Sequence, residues 1–416
     1  MNIWVIQDGE PLPGIDGDTR EWRTAMLSKA LVARGHQVTW WASTFDHARK
    51  RHRFAGPHIV DLQQGLRVRL LHGPGYRHNK SPRRLWHNRV LARAFGRESV
   101  TCPKPDLIFS SLPTLELAEQ AVGYGQKARI PVLIDTRDEW PDLYLAAFPQ
   151  RLRGLARLAL IPEFRRAKRV FSAATGITAV SNTYLDWALN YAGRGRGSTD
   201  GMFPLGYHHL PPINPADLQS SKKKYGIRSD ALILTFVGIF GSSYDLETVI
   251  DSARVLHAEG DSAIRIVMVG DGDQGSRLRE MAQGLSNVIF TGWVGQSDMA
   301  PLLRMSSVGL AAYTGEALQS LPNKPFEFMA AGLPILSSLS GELEVLIRDE
   351  RIGLHYRAGD KASLISKIRW LAANPDARRE MGVRAHKLFE ERFSSEIVYP
   401  RLIDHLEKTV KNYTLL

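Results

Sequence analysis

The chain has 416 residues and one cysteine, Cys102. A disulfide framework is therefore excluded, and so is a metal site built from several thiolates. No stretch approaches the roughly 18 uninterrupted apolar residues of a membrane-crossing helix, and no short-period repeat is present. The first residues, MNIWVIQDGE, carry no basic leader, and their apolar run stops at Gln7. That pattern reads as a buried strand and not as a secretory signal. The expectation is a cytoplasmic protein, free or peripheral on the inner face of the cytoplasmic membrane.

What is present is an ordinary globular balance, 44% hydrophobic and 23% charged, which excludes wholesale disorder. The formal charge of +11 is unevenly spread. Residues 1–215 hold 30 Lys/Arg against 18 Asp/Glu, a net of +12, and residues 216–416 hold 24 against 25, a net of −1. An excess confined to one half points to an anionic partner there: a phosphorylated substrate, a membrane surface or nucleic acid. A merely solvated basic face is the plainer reading.

Short apolar runs alternate with helical patterns. Ile3–Ile6, Val38–Ala42, Leu66–Leu71, Leu107–Ser110 and Val132–Asp135 read as strands, and Glu21–Arg34 as a helix stopped by Gly35. Residues 194–215 are rich in Gly and Pro and read as a linker. Beyond them the rhythm restarts, with strands at Leu232–Val237, Ile264–Val269, Val288–Phe290, Val308–Ala312 and Ile335–Ser338. Helices are expected at Leu246–His257, N-capped by Asp245, and at Ser276–Gln283, Lys324–Ala331 and Ser363–Ala372. The expected fold class is α/β, with two doubly wound Rossmann-like domains facing each other across a cleft. The expected divisions are 1–205, 206–390 and a helix over 391–416 crossing back to the first domain.

Three patterns suggest chemistry. Gly270-Asp271-Gly272-Asp273-Gln274-Gly275 fits the glycine fingerprint of a dinucleotide site, but no acidic residue ends a second strand about 20 residues on, where a ribose partner belongs. The Asp-Gly-Asp triplets Asp16–Asp18 and Asp271–Asp273 have the spacing to hold a divalent metal, and they also have turn composition. The segment QSLPNKPFEFMAAG, Gln319–Gly332, brings a loop to a helix N-terminus, where backbone N–H groups and the helix dipole favour an anion. Lys324 adds a charge there, and Glu327 stands one turn in, suited to a ribose diol. An ordinary helix with a Lys–Glu pair fits the spacing equally well.

That segment resembles the sugar-nucleotide motif of retaining glycosyltransferase family 4 (group 1), of the branch written P-x-K-x-F-E-x-x-A-A-G. The resemblance covers nearly the whole chain. Gly14, Gly17 and Arg23 followed by RGHQVTWWAS resemble its N-terminal glycine loop, helix and second strand. DTRDEWPD (Asp135–Asp142), GIFGSSYDLETVIDSARVL, VGDG and FTGWVGQSDM resemble further segments in the family's order. Residues 72–104 match worst. Where many relatives carry a Glu eight residues before Glu327, this chain has Gln319, and Glu316 is out of register.

The resemblance implies a GT-B fold. It also implies transfer of a hexosyl or N-acetylhexosaminyl group, with retention, from a nucleotide-diphosphate sugar to an acceptor hydroxyl. The donor is expected to be UDP-linked, and the setting surface polysaccharide, lipopolysaccharide or other glycolipid assembly. Lys324, Arg137 and Asp138 are the expected catalytic residues. Lys324 faces the leaving diphosphate, Asp138 orients the acceptor, and Arg137 binds an acceptor phosphate or pairs with Asp138. Gly14, Gly17, Gly241, Ser242, Gly270, Gly272, Val294, Gln319, Asn323, Lys324, Pro325, Phe326 and Glu327 are expected to bind the nucleotide sugar. No cofactor or metal is expected. The acceptor is expected to be lipid-linked or a polysaccharide. Two basic, apolar-studded stretches, Arg77–Arg97 and Arg151–Arg169, are expected on an anionic membrane surface, or else packed on their own core. Two competing readings stand beside this one. A sugar-nucleotide epimerase would need a carboxylate pair and a His around the sugar. A basic nucleic-acid-binding protein would need a recognition motif that the chain does not show.

Overall fold

The computed structural model describes residues 1–17, 19–79, 81–145, 148–228, 231–261 and 263–415, with only the backbone at 296 and 297. The chain forms two compact units, Met1–Pro204 with Val398–Leu416, and Leu205–Ile397.

Unit 1 contains β1 (Asn2–Ile6), β2 (Gln37–Ser43), a small antiparallel pair β3 (Phe45–Asp46) and β4 (Arg51–His52), then β5 (His58–Gln63), β6 (Leu66–Leu71), β7 (Leu107–Ser111), β8 (Val132–Thr136), β9 (Gly176–Ala179) and β10 (Gly201–Met202). Its sheet runs β10-β9-β8-β7-β1-β2-β6-β5. Every pairing is parallel except β5 on β6. The parallel centre is apolar on both faces, as helices covering both sides require; β7 and β8 are buried at every residue. The edge strand β5, HIVDLQ, is largely exposed. It reads too polar for a parallel strand, and sequence pattern did not reveal it.

The last helix, Ser395–Thr414, enters this unit's core with Tyr399, Leu402, Ile403 and Leu406. That is one stripe at helical spacing.

Unit 2 contains β11 (Leu232–Val237), β12 (Ile264–Val269), β13 (Val288–Gly292), β14 (Val308–Ala311), β15 (Ile335–Ser337) and β16 (Gly353–His355). They run β13-β12-β11-β14-β15-β16, all parallel. This is the doubly wound order, with its switch point between β11 and β14. Separate apolar cores cover the two faces, one around Phe326, Phe328 and Phe393, the other around Phe236, Phe240 and Leu256. One expected cap differs. Asp245 precedes the helix Leu246–Ala258 but does not cap it. Its carboxylate instead accepts from the Gly359 N–H at 2.7 Å, tying two loops together.

Candidate functional site

In doubly wound sheets a ligand crevice opens beyond the carboxyl ends of the strands where the order reverses. Each unit is built up from that point.

In unit 2 the loop after β11 carries Gly238–Tyr244, and the chain after β14 carries Tyr313. Lys324 enters the same place from the helix Asn323–Ala330. Only 7% of Lys324 is exposed. Its ammonium donates to the Tyr244 hydroxyl at 2.6 Å. It lies 3.8 Å from the Tyr244 ring centre, 5.0 Å from Phe236 and 5.9 Å from Tyr313. Three ring faces thus hold the cation through their quadrupoles. The loop comes this close only because residue 238 has no side chain. A Cβ there would lie 2.7 Å from Lys324 Nζ, at φ +143°. Burial, with the Glu327 carboxylate adding, pushes the Tyr244 phenol above its ordinary value and keeps it a neutral partner.

The helix begins after Pro322 with no side-chain cap, so its first N–H groups are open to a ligand. Asn323 and Pro325 lie in that first turn, and Phe326 packs inward against Phe393 at 5.0 Å. Glu327 is buried one turn in. Gln319 stands in the preceding loop, its Oε1 buried with no hydrogen-bond partner. Glu316 is exposed. Gly241 is open, nothing lying nearer its absent Cβ than Ile239 at 4.0 Å; Ser242 is exposed and Val294 half-buried against the core.

The glycine fingerprint has an internal use. A Cβ on Gly270 would sit 2.1 Å from the Gly238 carbonyl, one on Gly272 2.8 Å from the Phe240 backbone, and one on Gly275 1.9 Å from the Asp271 carboxylate. Gly270 and Gly272 therefore let the Gly238–Tyr244 loop pack closely against them. Asp271 accepts from the Gly272 N–H at 2.9 Å and pairs with Arg279 at 2.7 Å, as a turn residue does.

In unit 1 the order reverses between β1 and β7. Thr114 donates across that point to Asp8 at 2.8 Å. The loop after β1 holds Gly14 and Gly17 at φ +79° and +80°, with nothing within 4 Å of a Cβ at Gly17. Asp16 accepts from the Leu12 N–H at 2.8 Å and takes two 2.7 Å bonds from Arg53; Asp18 lies outside the described residues. Asp16, Gly17, Arg49, Arg51 and Arg53 help line a cavity of about 540 Å³.

Beneath lies a buried ionic network. Arg23 makes two 3.0 Å bonds to Asp135 and one of 2.6 Å to the Pro204 carbonyl. Arg137 donates to Asp135 at 2.8 Å, to Glu10, to Thr24 at 3.1 Å and to Ser111 at 2.8 Å. Burial would raise the Asp135 carboxyl, but Arg23 and Arg137 outweigh it and hold it at about 2. Two cations and two anions cancel. The Arg137 guanidinium is thus bonded to Asp135 and Glu10, and among the described residues it forms no hydrogen bond or ion pair with Asp138. Asp138, next along, is different. Burial pushes its carboxyl up to about 6, with Arg137 and Arg84 opposing and Glu139 adding.

The two basic stretches behave differently. The helix Pro82–Glu98 buries His87, Leu91 and Phe95 against unit 1. The short helix Arg153–Ala159 buries only Ala156 and exposes Leu155 at 68% and Leu158 at 64%. Arg166 and Arg169 pair with Glu119, while Arg151, Arg157, Arg165 and Lys168 form no ion pair among the described residues. Among the described residues no helix is long and apolar enough to cross a membrane. Lys80, in the first stretch, lies outside the described residues. Sequence reasoning missed Glu10, the three rings around Lys324, and Lys50, Tyr76 and Arg84. Tyr244 had a signal in the loop quoted for the resemblance, and Arg84 lay in the basic stretch Arg77–Arg97 without being singled out.

Two family descriptions match the chain and together cover more than half of it: Glycosyltransferase Family 4 over residues 21–196, and Glycosyl transferases group 1 over residues 231–374. Among curated relatives, the N-acetyl-alpha-D-glucosaminyl L-malate synthase of Bacillus anthracis is 26% identical over 43% of this chain and 46% of the relative. The lipopolysaccharide core biosynthesis glycosyltransferase LpsE of Rhizobium meliloti is 26% identical over 42% and 50%. The chain spans about half the length of the curated relatives it matches. Among solved structures, sucrose-phosphate synthase from Thermosynechococcus elongatus superposes with a TM-score of 0.75 at 18% identity, covering 98% of both chains. HepE of Anabaena in complex with UDP gives 0.68 at 15%, covering 98% of this chain and 99% of that one. The likeness to these structures establishes the GT-B fold. Fold, motif order and the two matching segments agree: the chain belongs to the family 4, group 1 glycosyltransferases.

Proposed function

We propose that the protein transfers a sugar from a UDP-linked donor to an acceptor hydroxyl, with retention, in surface polysaccharide or glycolipid assembly. The observation that carries the reading is Lys324, a nearly buried ammonium held by neutral rings at the unit 2 switch point beside an uncapped helix N-terminus. The departing diphosphate gains negative charge in the transition state, and preorganised donors aimed at it lower the barrier. Lys324 and the N–H group of Ser242 are those donors; the Gly241 N–H is already given to the Ile239 carbonyl at 2.9 Å. Glu327 takes the ribose diol, and Val294 borders the base. Gln319, with its unpartnered Oε1, accepts from a hydroxyl of the donor sugar in place of the relatives' carboxylate. The leaving phosphate takes the acceptor proton, so the scheme needs no separate base. Asp138, poised near neutrality, orients the acceptor hydroxyl. The UDP in the HepE structure and the lipopolysaccharide role of LpsE support the donor and the setting.

A thermal-shift panel of UDP-, GDP- and dTDP-sugars tests the donor reading, since a ligand of the native state must raise its apparent stability. UDP-sugar should stabilise the wild type and fail on Glu327→Ala; stabilisation by none of the three sinks the reading. The membrane part rests on Leu155 and Leu158 among unpaired cations. Vesicle flotation should depend on anionic lipid and drop in Leu155→Gln/Leu158→Gln, and binding indifferent to lipid charge removes it.

A further inference from the structure

Residues 72–104, where the family resemblance is weakest, supply a group of side chains that the mechanism leaves unused. Ser81 caps the helix Pro82–Glu98, and Arg84 stands in its first turn. The Arg84 guanidinium lies 5.7 Å from the Tyr76 ring centre and 5.2 Å from that of Trp140. Lys50 brings its ammonium to the same Tyr76 ring, at 4.9 Å. Both cations also converge on Asn79. Arg84 donates to its carbonyl at 3.1 Å, and Lys50 to its side-chain oxygen. His47 hydrogen-bonds the Tyr76 hydroxyl, and His87 meets the Tyr76 ring edge-on at 5.3 Å.

What is missing is a counter-ion. Among the described residues neither Arg84 nor Lys50 forms an ion pair, and Arg84 Nε is buried with no hydrogen-bond partner. Two arginines of the neighbouring cavity differ, since Asp16 answers Arg53, and Asp16 and Asp46 answer Arg49. Crowding leaves its mark on the basic groups. Burial, with Arg84 adding, lowers Lys50 to about 8 against the pull of Asp46. Burial and the nearby cations hold His47 at about 3 and His87 at about 4, both neutral at pH 7. The facing carboxyls, Asp8 and Asp138, feel Arg84 only from a distance, and burial raises both. Two cations on one ring without a carboxylate partner suit an incoming anion. A guanidinium fork with an ammonium beside it matches the oxygens of a phosphate.

We propose that Arg84 and Lys50, over the Tyr76 ring, bind a phosphate group carried by the acceptor substrate, on the side of unit 1 that also presents Asp138. The proposal rests on the glycosyltransferase reading and goes beyond it by giving the acceptor a chemical class. It also reassigns the anion contact expected of Arg137 to residues whose charge is not cancelled.

Calorimetric titration of the full chain with inorganic phosphate tests it, alongside UDP-sugar binding as a separate measurement. Arg84→Gln and Lys50→Gln should each weaken phosphate binding at least tenfold while UDP-sugar binding stays within twofold of wild type. Lys50 reaches the surface, so its variant keeps the test open if Arg84→Gln folds poorly. Phosphate binding that is unchanged in both variants, or undetectable in the wild type at millimolar concentration, overturns the proposal. Retained UDP-sugar binding in that case leaves the glycosyltransferase reading intact, whereas loss of UDP-sugar binding by the wild type sinks that reading on its own. Two further arms, glucose 6-phosphate and a polyprenyl phosphate in neutral phosphatidylcholine vesicles, identify the carrier. Arg84-dependent binding of either supports the site, and the tighter of the two shows whether the phosphate arrives on a soluble sugar or on a lipid.

Discussion

Unit 1 lines the end of its sheet with ions, whereas unit 2 lines its own with rings and bare backbone. Under the unit 1 switch point, Glu10, Arg23, Asp135 and Arg137 neutralise one another inside the protein. At the unit 2 switch point, Lys324 has been taken out of water by Phe236, Tyr244 and Tyr313, which carry no formal charge. The difference shows how burial and availability separate. An arginine inside a balanced network holds the fold and has little attraction left for a ligand. Lys324 is packed among ring faces beside an uncapped helix N-terminus, where the proposed reading sets the departing diphosphate.

The largest expected effect comes from breaking the balance in unit 1. Asp135→Asn leaves Arg23 and Arg137 facing Glu10 alone, and removing one partner from a buried pair costs roughly 3–5 kcal/mol. Urea unfolding should show that loss at neutral pH. The Asp135 carboxyl is held at about 2 against an ordinary 3.8. Its stabilisation is therefore present above about pH 4 and disappears as pH falls through about 2, and the variant should lack that acid-dependent component. A midpoint equal to wild type would remove the network from the account of unit 1.

Lys324→Met is the matching test in unit 2. A thioether is flexible enough to pack among the rings and fill the volume that the ammonium leaves. The melting temperature should hold while kcat falls about 10²–10³-fold, the usual cost of one lost donor to transition-state charge. A large melting loss with proportionate activity would place Lys324 in the same structural class as Arg137.

Gly270→Ala examines the backbone on which unit 2 depends. Its Cβ would lie 2.1 Å from the Gly238 carbonyl at φ +123°, and overpacking of this kind costs about 1–3 kcal/mol. UDP-sugar binding should weaken with it, because the displaced loop is the one beside Lys324; an unchanged melting temperature and affinity would separate the fingerprint from the site.

The smallest effect is expected at Asp138, held at about 6 by burial. A raised carboxyl contributes stability that is complete below about pH 4 and lost as pH rises through about 6. Asp138→Asn should therefore match wild type near pH 4 and melt slightly higher at pH 8, while activity drops. A variant less stable at pH 8 would show that the carboxylate is internally paired, as Asp135 is.

Much of the fold was legible because parallel strands covered on both faces must be predominantly apolar. LILTFV and IRIVMV declare themselves as β11 and β12 without further context. The edge strand β5 was not legible, since one exposed face lets polar residues in and removes the periodic signal. Asp245 shows the same limit for caps. Its position before a helix is local, but its actual partner, Gly359, is 114 residues away. The site divides similarly. Lys324 and Glu327 stand together on one helix and can be read from spacing. The rings that hold Lys324 come from β11, the loop after it and the chain after β14, and nothing in any one segment marks them as neighbours.

The sequence by itself determined the class of architecture, the chain order of its motifs and the charge asymmetry between its halves, because periodicity, glycine placement and net charge are local or additive. Only the tertiary structure decided which charges are answered. Arg137 and Arg84 both lie in the basic first half. One meets Asp135 and Glu10, while the other meets two aromatic rings and, among the described residues, pairs with no carboxylate. Pairing depends on distances of a few ångströms between residues up to 127 positions apart, and composition carries no record of those distances.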